Sequence, residues 1–357
     1  MATNPKEGTT TPPSSSNAAS GSDKNSHGGP APGAGDNPIP KAQQNPGTPT
    51  QAISHGTPSK SPKGGKAGVA GGESLKWTAE VLGWWHNWGP VPDNGHAGNL
   101  AFMSTCWGIG QTGGNNDAER FEKFKKVPHG KYPYVAGFNE MDFQGHASSG
   151  GMSLDAAVHV WEQYIAPHKA KGSILVSPSC AKQKDEDMCG KFLKRVKTKP
   201  DLVNLHIFQE HPDGVMPVIE HYRAYGYKMI ITELACINFQ NGGRKECSME
   251  EQRKFWATVI PLLEKDDDIV GWAASVSISC ILALRCLHSP HTPLPLSRLQ
   301  DAYDNGNLSV LSKGNSLTET GKFIKAVIKS TASKHKRRAL SDGERVARRS
   351  IRLAATL

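Results

Sequence analysis

The 357-residue sequence lacks the features that mark membrane-spanning, nucleotide-binding and zinc-binding proteins. No apolar run approaches the roughly 20 residues that cross a bilayer. The N-terminal MATNPKEGTT has no apolar segment of the kind found in secretory signals. No glycine-rich phosphate loop follows an apolar run, and no cysteine spacing matches a zinc site. These absences disfavour a membrane span, a nucleotide-binding fold and a structural metal site.

The basic excess is confined to the two ends of the chain. The net charge is +9, with six lysines against three acidic residues in 1–72 and eight basic against two acidic residues in 334–352. The body between them is neutral and has no electrostatic footprint for a polyanion, so neither nucleic acid nor a membrane is expected as a partner. Three interpretations of the basic 334–352 segment remain open: a nuclear-import-like or anionic-surface-binding patch, a solvated tail, or an artefact of the reading frame.

Composition divides the chain into segments. Residues 1–72 have almost no large apolar side chain and are predicted to be a disordered tail, because they cannot offset the entropy of ordering. Residues 73–330 carry enough Trp, Phe, Val, Ile and Leu for one large domain. Within it, 278–300 shows neither helical nor alternating periodicity and is an atypical insert. Residues 331–357 form a basic tail.

Short apolar runs alternate with helical patterns through this domain. Ser153 is the predicted N-cap of a helix over 153–172, and a second capped helix is predicted over 248–265. Continuously apolar strands separated by helices favour a parallel sheet covered by helices, either an open doubly wound sheet or a closed (β/α)8 barrel. The predicted strands are 80–88, 99–107, 132–140, 173–180, 201–208, 228–236 and 268–275.

Polar and aromatic residues gather at the carboxyl ends of these runs, where parallel barrels place their active sites. Two glutamates, Glu140 and Glu233, lie 93 residues apart, which is about three barrel units of roughly 31 residues each. This spacing predicts strands four and seven, and a carboxylate pair across one barrel mouth suits chemistry on an acetal. A simple surface explanation of polar strand ends remains open at this point. The other strand-end residues are Asn87, Trp88, Trp107, Asn139, Ser177, His206 and Trp272.

Seven ordered motifs resemble one known family. They are LGWWHNWGP, GFNEMD, MSLDAAVHVW, LVSPS, LVNLHIF, IITELAC and CSMEEQRKF, with a weaker echo in LTETGKFI. Together they are similar to the catalytic core of glycoside hydrolase family 128, the fungal alkali-sensitive-linkage-protein-like group. The resemblance implies a (β/α)8 barrel that cleaves β-1,3-glucan with retention of configuration, with no metal and no cofactor.

The resemblance also implies roles for individual residues. Glu140 is similar to the general acid/base and Glu233 to the nucleophile. Asn139 is similar to the amide that binds the sugar 2-hydroxyl, and His206 to a histidine that orients or tunes Glu233. The remaining implied groove residues are Asn87, Trp88, Trp107 and Trp272, for each of which core packing is the competing explanation.

The sequence departs from the family pattern at positions that concern affinity more than chemistry. Met141 replaces the usual proline after Asn-Glu, and Ile207-Phe208 replaces the usual aromatic pair after His206. The last strand has Trp272-Ala273-Ala274 where Tyr-Ala-Trp is expected. A cell-wall β-glucan-binding protein without turnover is therefore a second hypothesis, and an intracellular protein directed by its basic tail is a third.

The cysteines predict an oxidising, extracellular compartment, whereas the N-terminus shows no secretory signal. Cys180 and Cys189, and Cys236 and Cys247, are close in sequence and each pair follows a predicted strand, so two loop-closing disulfides are expected. Disulfides indicate an oxidising environment, and with the resemblance they favour an extracellular or cell-wall monomer. The sequon Asn307-Leu308-Ser309 agrees weakly with secretion.

A closed barrel needs eight strands, and the pattern supplies seven. The position of the first strand is held by GGESLKWTA, which barely qualifies as a strand. We hypothesise that the gene model has lost a first exon, with a signal peptide and the first strand, and has retained an intron near 278–300. Transcript sequencing across both junctions tests this hypothesis.

Overall fold

The computed structural model describes most of the predicted domain. The predictions for 1–61, for the insert 278–300, for the sequon and for the basic tail lie outside the described residues. The described residues are 62, 65–111, 116–145, 148–238, 245–275, 311–313 and 315–333.

Eight parallel strands close into a barrel, which confirms the predicted (β/α)8 class. Strands β1 to β7 follow one another around the barrel, and β10 pairs in parallel with both β7 and β1 to close it. The barrel strands are β1 Ala67–Ala70, β2 Trp84–His86, β3 Ala101–Thr105, β4 Tyr134–Ala136, β5 Ile174–Val176, β6 Leu202–Phe208, β7 Lys228–Ala235 and β10 Ile269–Ser275. Two small antiparallel pairs lie outside it, β8 Ile237–Asn238 with β9 Lys245–Glu246, and β11 Ser312–Lys313 with β12 Ser316–Leu317.

The first strand lies inside the segment that was predicted to be a disordered tail. Residues Ala67–Ala70 are fully buried and pair with β2 and β10, so the 72/73 boundary and the hypothesis of a lost first strand are both wrong. The strand has small residues because the Trp84 ring fills the barrel beside it. A Cβ at Gly68 would lie 2.4 Å from that ring. A strand without bulky side chains gives no apolar signal in the sequence.

Helices cover the outside of the barrel between successive strands. Ser153 and Ser248 both accept a backbone hydrogen bond at the start of a helix, which confirms the predicted caps, and Ser248 forms a full capping box with Glu251. Residues 319–333 are also helical. The α-helices are α1 Leu75–Thr78, α2 Asp117–Lys125, α3 Leu154–Val160, α4 Cys189–Arg195, α5 Val215–Arg223 and α6 Met249–Lys265.

Both predicted disulfides are present. Cys180–Cys189 has an S–S distance of 2.02 Å and Cys236–Cys247 one of 2.00 Å. Each bridge closes a loop at the carboxyl end of a barrel strand, on the side of the two glutamates. Across the part of the chain described, no helix is long and apolar enough to cross a bilayer.

Candidate active site

The two glutamates stand on the strands that the spacing predicts. Glu140 follows β4 Tyr134–Ala136, and Glu233 lies within β7 Lys228–Ala235 near its carboxyl end. Both are therefore at the same mouth of the barrel. Their side chains are nearly buried, with 12% exposed at Glu140 and 6% at Glu233.

One imidazole ring joins the two carboxylates. His206 Nδ1 lies 2.9 Å from Glu140 Oε1, and His206 Nε2 lies 3.5 Å from Glu233 Oε1. The family resemblance implies that His206 pairs with Glu233, but the shorter contact is with Glu140. The two carboxylates are thus bridged by a single ring.

A register shift in β7 makes this arrangement possible. Leu205 pairs with Ile231, but the next residue, His206, pairs with Glu233, so Thr232 is an extra residue in β7. A bulge of this kind re-aims side chains that would otherwise alternate between faces. Consequently the neighbouring Thr232 and Glu233 both contact His206, at 3.1 Å and 3.5 Å.

Glu233 accepts hydrogen bonds at both carboxylate oxygens. Trp88 Nε1 donates to Oε1 at 2.8 Å, and the Ser275 hydroxyl donates to Oε2 at 2.9 Å. Donors at both oxygens fix the plane of the carboxylate. A carboxylate held in one orientation is what a nucleophile at a sugar carbon requires.

The backbone of Glu140 is held in an unusual conformation. Its φ is 53°, in the left-handed region that non-glycine residues rarely adopt. Ser179 Oγ accepts from its amide at 3.0 Å, and the Asp142 carboxylate accepts from the amides of Ala181 and Lys182 at 2.7 and 3.1 Å. The loop after β5, which the Cys180–Cys189 bridge closes, thus holds Glu140 in place.

The Glu140–His206 pair holds a proton more tightly than either group would in water. Burial, with the charges of Glu233 and Asp142, raises the pKa of Glu140 despite the opposing hydrogen bond from His206. Burial lowers the pKa of His206, but the charge of Glu233 and the hydrogen bond with Glu140 outweigh it, and the pKa is raised. A proton kept on this pair is available to a leaving group.

A second set of buried polar groups fixes the orientation of the His206 ring. Thr232 Oγ1 donates to Asn204 Oδ1 at 2.6 Å, so it accepts from His206 Nε2. His206 Nδ1 therefore faces Glu140. His86 lies beside Thr232, with Nε2 3.0 Å from the Thr232 carbonyl oxygen, and burial lowers its pKa to about 4. His86 is therefore neutral near pH 7.

The polar residues predicted from strand ends have different surroundings. Asn139 is buried and borders a small cleft at the mouth, together with Trp88 and Thr105. The buried Thr105 hydroxyl has no hydrogen-bond partner among the described residues, so the cleft offers one unfilled polar position. Asn87 closes its own loop, accepting from the Gly89 amide and donating to the Val91 carbonyl oxygen, both at 3.0 Å. Ser177 is buried and accepts from the Asn204 amide.

Of the three predicted aromatic groove residues, only Trp88 is partly exposed at the site. Trp272 is fully buried on the outer face of the barrel, where it packs on Trp256 and donates to Glu264 Oε1 at 2.8 Å. Its prediction as a groove residue is wrong, because Ala273 and not Trp272 packs in the barrel interior. Trp107 is only 3% exposed, and the Arg120 guanidinium lies over its ring.

Several residues of the site were not found by sequence reasoning. Ser275, Ser179, Thr232, Asn204 and His86 each contact a predicted residue or its partner. Serine, threonine and asparagine carry no distinctive signal at a strand end. His86 lies in the LGWWHNWGP motif. Because it is two residues after Trp84 on one strand, it points to the same face as Trp84, and this spacing could have identified it.

One cluster within the described ranges has three potential metal-binding groups, and it is away from the glutamate pair. The ligand atoms of Cys180, Glu186 and Cys189 lie within 4.8 Å of one another. The two sulfur atoms are bonded to each other, and Glu186 accepts from the amides of Cys189 and Gly190. This carboxylate braces the start of α4.

Comparison with known proteins agrees with the fold. The family model described as "Glycosyl hydrolase catalytic core" matches residues 67–285. The chain belongs to this family. The match begins at the first residue of β1, which supports the correction of the tail boundary. No curated protein matches the chain.

Solved structures confirm the resemblance to glycoside hydrolase family 128. A subgroup VII oligosaccharide-binding protein from Trichoderma gamsii is 27% identical, with 76% of this chain and 96% of that chain covered and a TM-score of 0.62. One from Cryptococcus neoformans is 28% identical, with the same coverages and a TM-score of 0.63. A subgroup I endo-β-1,3-glucanase from Amycolatopsis mediterranei, in complex with laminaripentaose, shares the fold at 19% identity, with coverages of 74% and 100% and a TM-score of 0.51.

Proposed function

We propose that the protein is a retaining glycoside hydrolase that cleaves β-1,3-glucan within the chain. The observation that carries the proposal is the asymmetric glutamate pair around His206. Glu233 accepts hydrogen bonds from Trp88 and Ser275, while Glu140 shares a proton with His206. Different environments for two neighbouring carboxylates assign one as nucleophile and the other as acid.

The reaction needs two displacements. Glu233 attacks the anomeric carbon, the bond to the leaving oxygen breaks, and Glu140 gives that oxygen its proton. Glu140, now ionised, takes a proton from water, whose oxygen attacks the same carbon and releases Glu233. His206 supports both steps, because its Nδ1 stabilises Glu140 in either protonation state. Asn139 and Trp88 are the proposed sugar contacts.

Binding without turnover is a second candidate, and two observations favour it. The two structures that are 27% and 28% identical are oligosaccharide-binding proteins. One oxygen of the proposed acid, Glu140 Oε1, is engaged by His206. In this case the same cleft would hold a β-1,3-gluco-oligosaccharide while the glutamates remain as hydrogen-bonding groups.

Two measurements on one preparation separate the candidates: release of reducing ends from laminarin, and calorimetric binding of laminarihexaose. Hydrolysis is supported if the wild type releases reducing ends and Glu233→Ala does not. Azide should then rescue Glu233→Ala and give an α-glycosyl azide. Glu140→Gln should fail chiefly on poor leaving groups. The exposed Glu122→Gln is the matched control and should behave as wild type.

The outcomes are distinct. Full activity of Glu233→Ala or Glu140→Gln on laminarin contradicts the hydrolase assignment. Binding of laminarihexaose with no release of reducing ends establishes the second candidate. The proposal includes an extracellular or cell-wall location, which the two disulfides support, and a monomeric state.

A further inference from the structure

Arg120, on α2 Asp117–Lys125, contacts two of the tryptophans at the barrel mouth. Its guanidinium carbon lies 5.2 Å from the centre of the Trp107 ring, and its Nη1 donates to the Trp88 carbonyl oxygen at 3.2 Å. The side chain is half-buried. A guanidinium that lies over an aromatic ring and also donates a hydrogen bond is fixed in both position and direction.

The Trp88 contact matters because Trp88 is strained and bears on Glu233. Its φ is 56°, in the left-handed region that is strained for a non-glycine residue. Such a residue persists only where its surroundings hold it. Its amide donates to His86 Nδ1 at 3.4 Å, its carbonyl accepts from Arg120, and its indole donates to Glu233 Oε1 at 2.8 Å.

The Trp107 contact leads toward the other glutamate. The Trp107 carbonyl oxygen accepts from the amide of Asn139 at 2.9 Å, and Asn139 immediately precedes Glu140. Trp107 is buried, so its ring supports Arg120 from below and does not move freely. Arg120 is thus one residue removed from the carboxylate of Glu233 and from the loop that carries Glu140.

We infer that Arg120 is a positioning residue that holds the Trp88 indole against Glu233 and thereby orients that carboxylate. An arginine suits this position, because its guanidinium lies over the Trp107 ring and donates to the Trp88 carbonyl oxygen at the same time. A lysine ammonium has no plane to stack and is a point charge. The inference concerns the geometry of Glu233 and holds whether the site hydrolyses its ligand or only binds it.

The Trp88 indole N–H resonance in a ¹H–¹⁵N spectrum reports the bond to Glu233 directly and needs no ligand. Trp88→Phe assigns it. In Arg120→Met and Arg120→Lys the resonance should move toward that of a solvent-exposed indole. The exposed Lys123→Met, on the same helix, is the matched control and should leave it in place. A folded Arg120→Lys variant with an unmoved Trp88 resonance overturns the inference.

Ligand measurements extend the test. If the protein hydrolyses laminarin, Arg120→Lys should lower kcat about tenfold with little change in KM, since a misplaced nucleophile costs rate more than binding. If it only binds, laminarihexaose affinity should fall while Lys123→Met retains it. An Arg120→Lys variant equal to wild type in both assays also overturns the inference. Because the Trp88 indole resonance is measured without ligand, it tests the role of Arg120 even if the proposed function is wrong.

Discussion

Two layers of side chains in the barrel interior lie two residues apart on the same strands, and they differ in polarity. The lower layer is apolar and is packed around Trp84, Met103, Leu202, Ile230 and Ala273. Two residues further along each of these strands, the upper layer is polar. Its members are His86, Thr105, Asn204, Thr232 and Ser275.

The difference shows how one barrel combines stability with chemistry. The lower layer is filled by volume, and the Trp84 ring occupies space that Gly68 and Gly271 leave open, where a Cβ would lie 2.4 and 2.9 Å from it. The upper layer buries polar groups, which costs free energy unless they are hydrogen-bonded. All of its side chains except Thr105 are hydrogen-bonded, and those of Thr232 and Ser275 orient His206 and Glu233.

The largest expected loss of stability comes from emptying the lower layer. Trp84→Ala should lower the free energy of unfolding by about 3–5 kcal/mol, because it leaves a cavity in the barrel centre. Urea unfolding measures this loss. Trp77→Ala, at a half-buried position, is the control and should cost much less. An equal loss in the two variants would mean that Trp84 does not fill the interior.

The pH dependence of stability tests the upper layer. The pKa of His86 falls from 6.5 to about 4 on folding, so its contribution is complete above pH 6.5 and is lost as the pH falls toward 4. This loss is on the order of 3 kcal/mol. In His86→Gln, which does not titrate, unfolding free energies should be flatter between pH 4 and 6.5. An unchanged acid slope would contradict the burial of a neutral His86.

The Glu140–His206 pair should act in the opposite direction. Both pKa values are raised on folding, so its contribution is present at low pH and is lost as the pH rises through the raised values. The difference between wild type and His206→Gln should therefore shrink as the pH increases. A difference that grows with pH would show that the pair does not retain a proton.

Removing one hydroxyl from the upper layer should have a moderate effect on stability and a larger one on the site. Thr232→Val keeps the shape but removes the partner of His206 Nε2 and Asn204 Oδ1, so about 1–3 kcal/mol should be lost. Laminarihexaose affinity or laminarin turnover should fall as well. Thr232→Ser keeps the hydroxyl and should retain the function. If Thr232→Val and Thr232→Ser behave alike, the Thr232 hydroxyl does not contribute to the function of the site.

The smallest effect is expected at the Lys66 side chain, which binds the end of α6, although the Lys66 carbonyl oxygen accepts a hydrogen bond from Trp84. Lys66 Nζ donates to the carbonyl oxygens of Leu263, Glu264 and Asp266 at the end of α6, at 3.2, 2.9 and 2.8 Å. Lys66→Met should cost about 1 kcal/mol and lower Tm by about 2–4 °C. Ligand affinity should not change. A loss of ligand affinity would mean that the packing of β1, which follows Lys66, affects the site at the barrel mouth.

The sequence determined the frame of this protein. Alternating apolar runs and helical patterns predicted a parallel sheet covered by helices, the spacing of 93 residues placed Glu140 and Glu233 at strands four and seven, and the cysteine pairs predicted both disulfides. These features are local or depend on counting units along the chain. Both kinds of information are present in a single sequence.

The tertiary structure decided which way side chains face and what they contact. A strand buried on both faces has no alternation, so the sequence could not show that Trp272 points outward and Ala273 inward. β1 was missed because its side chains are small, and they are small because the Trp84 ring on the next strand fills the space beside them. The extra residue in β7, which brings Thr232 and Glu233 together at His206, exists only through pairing with β6.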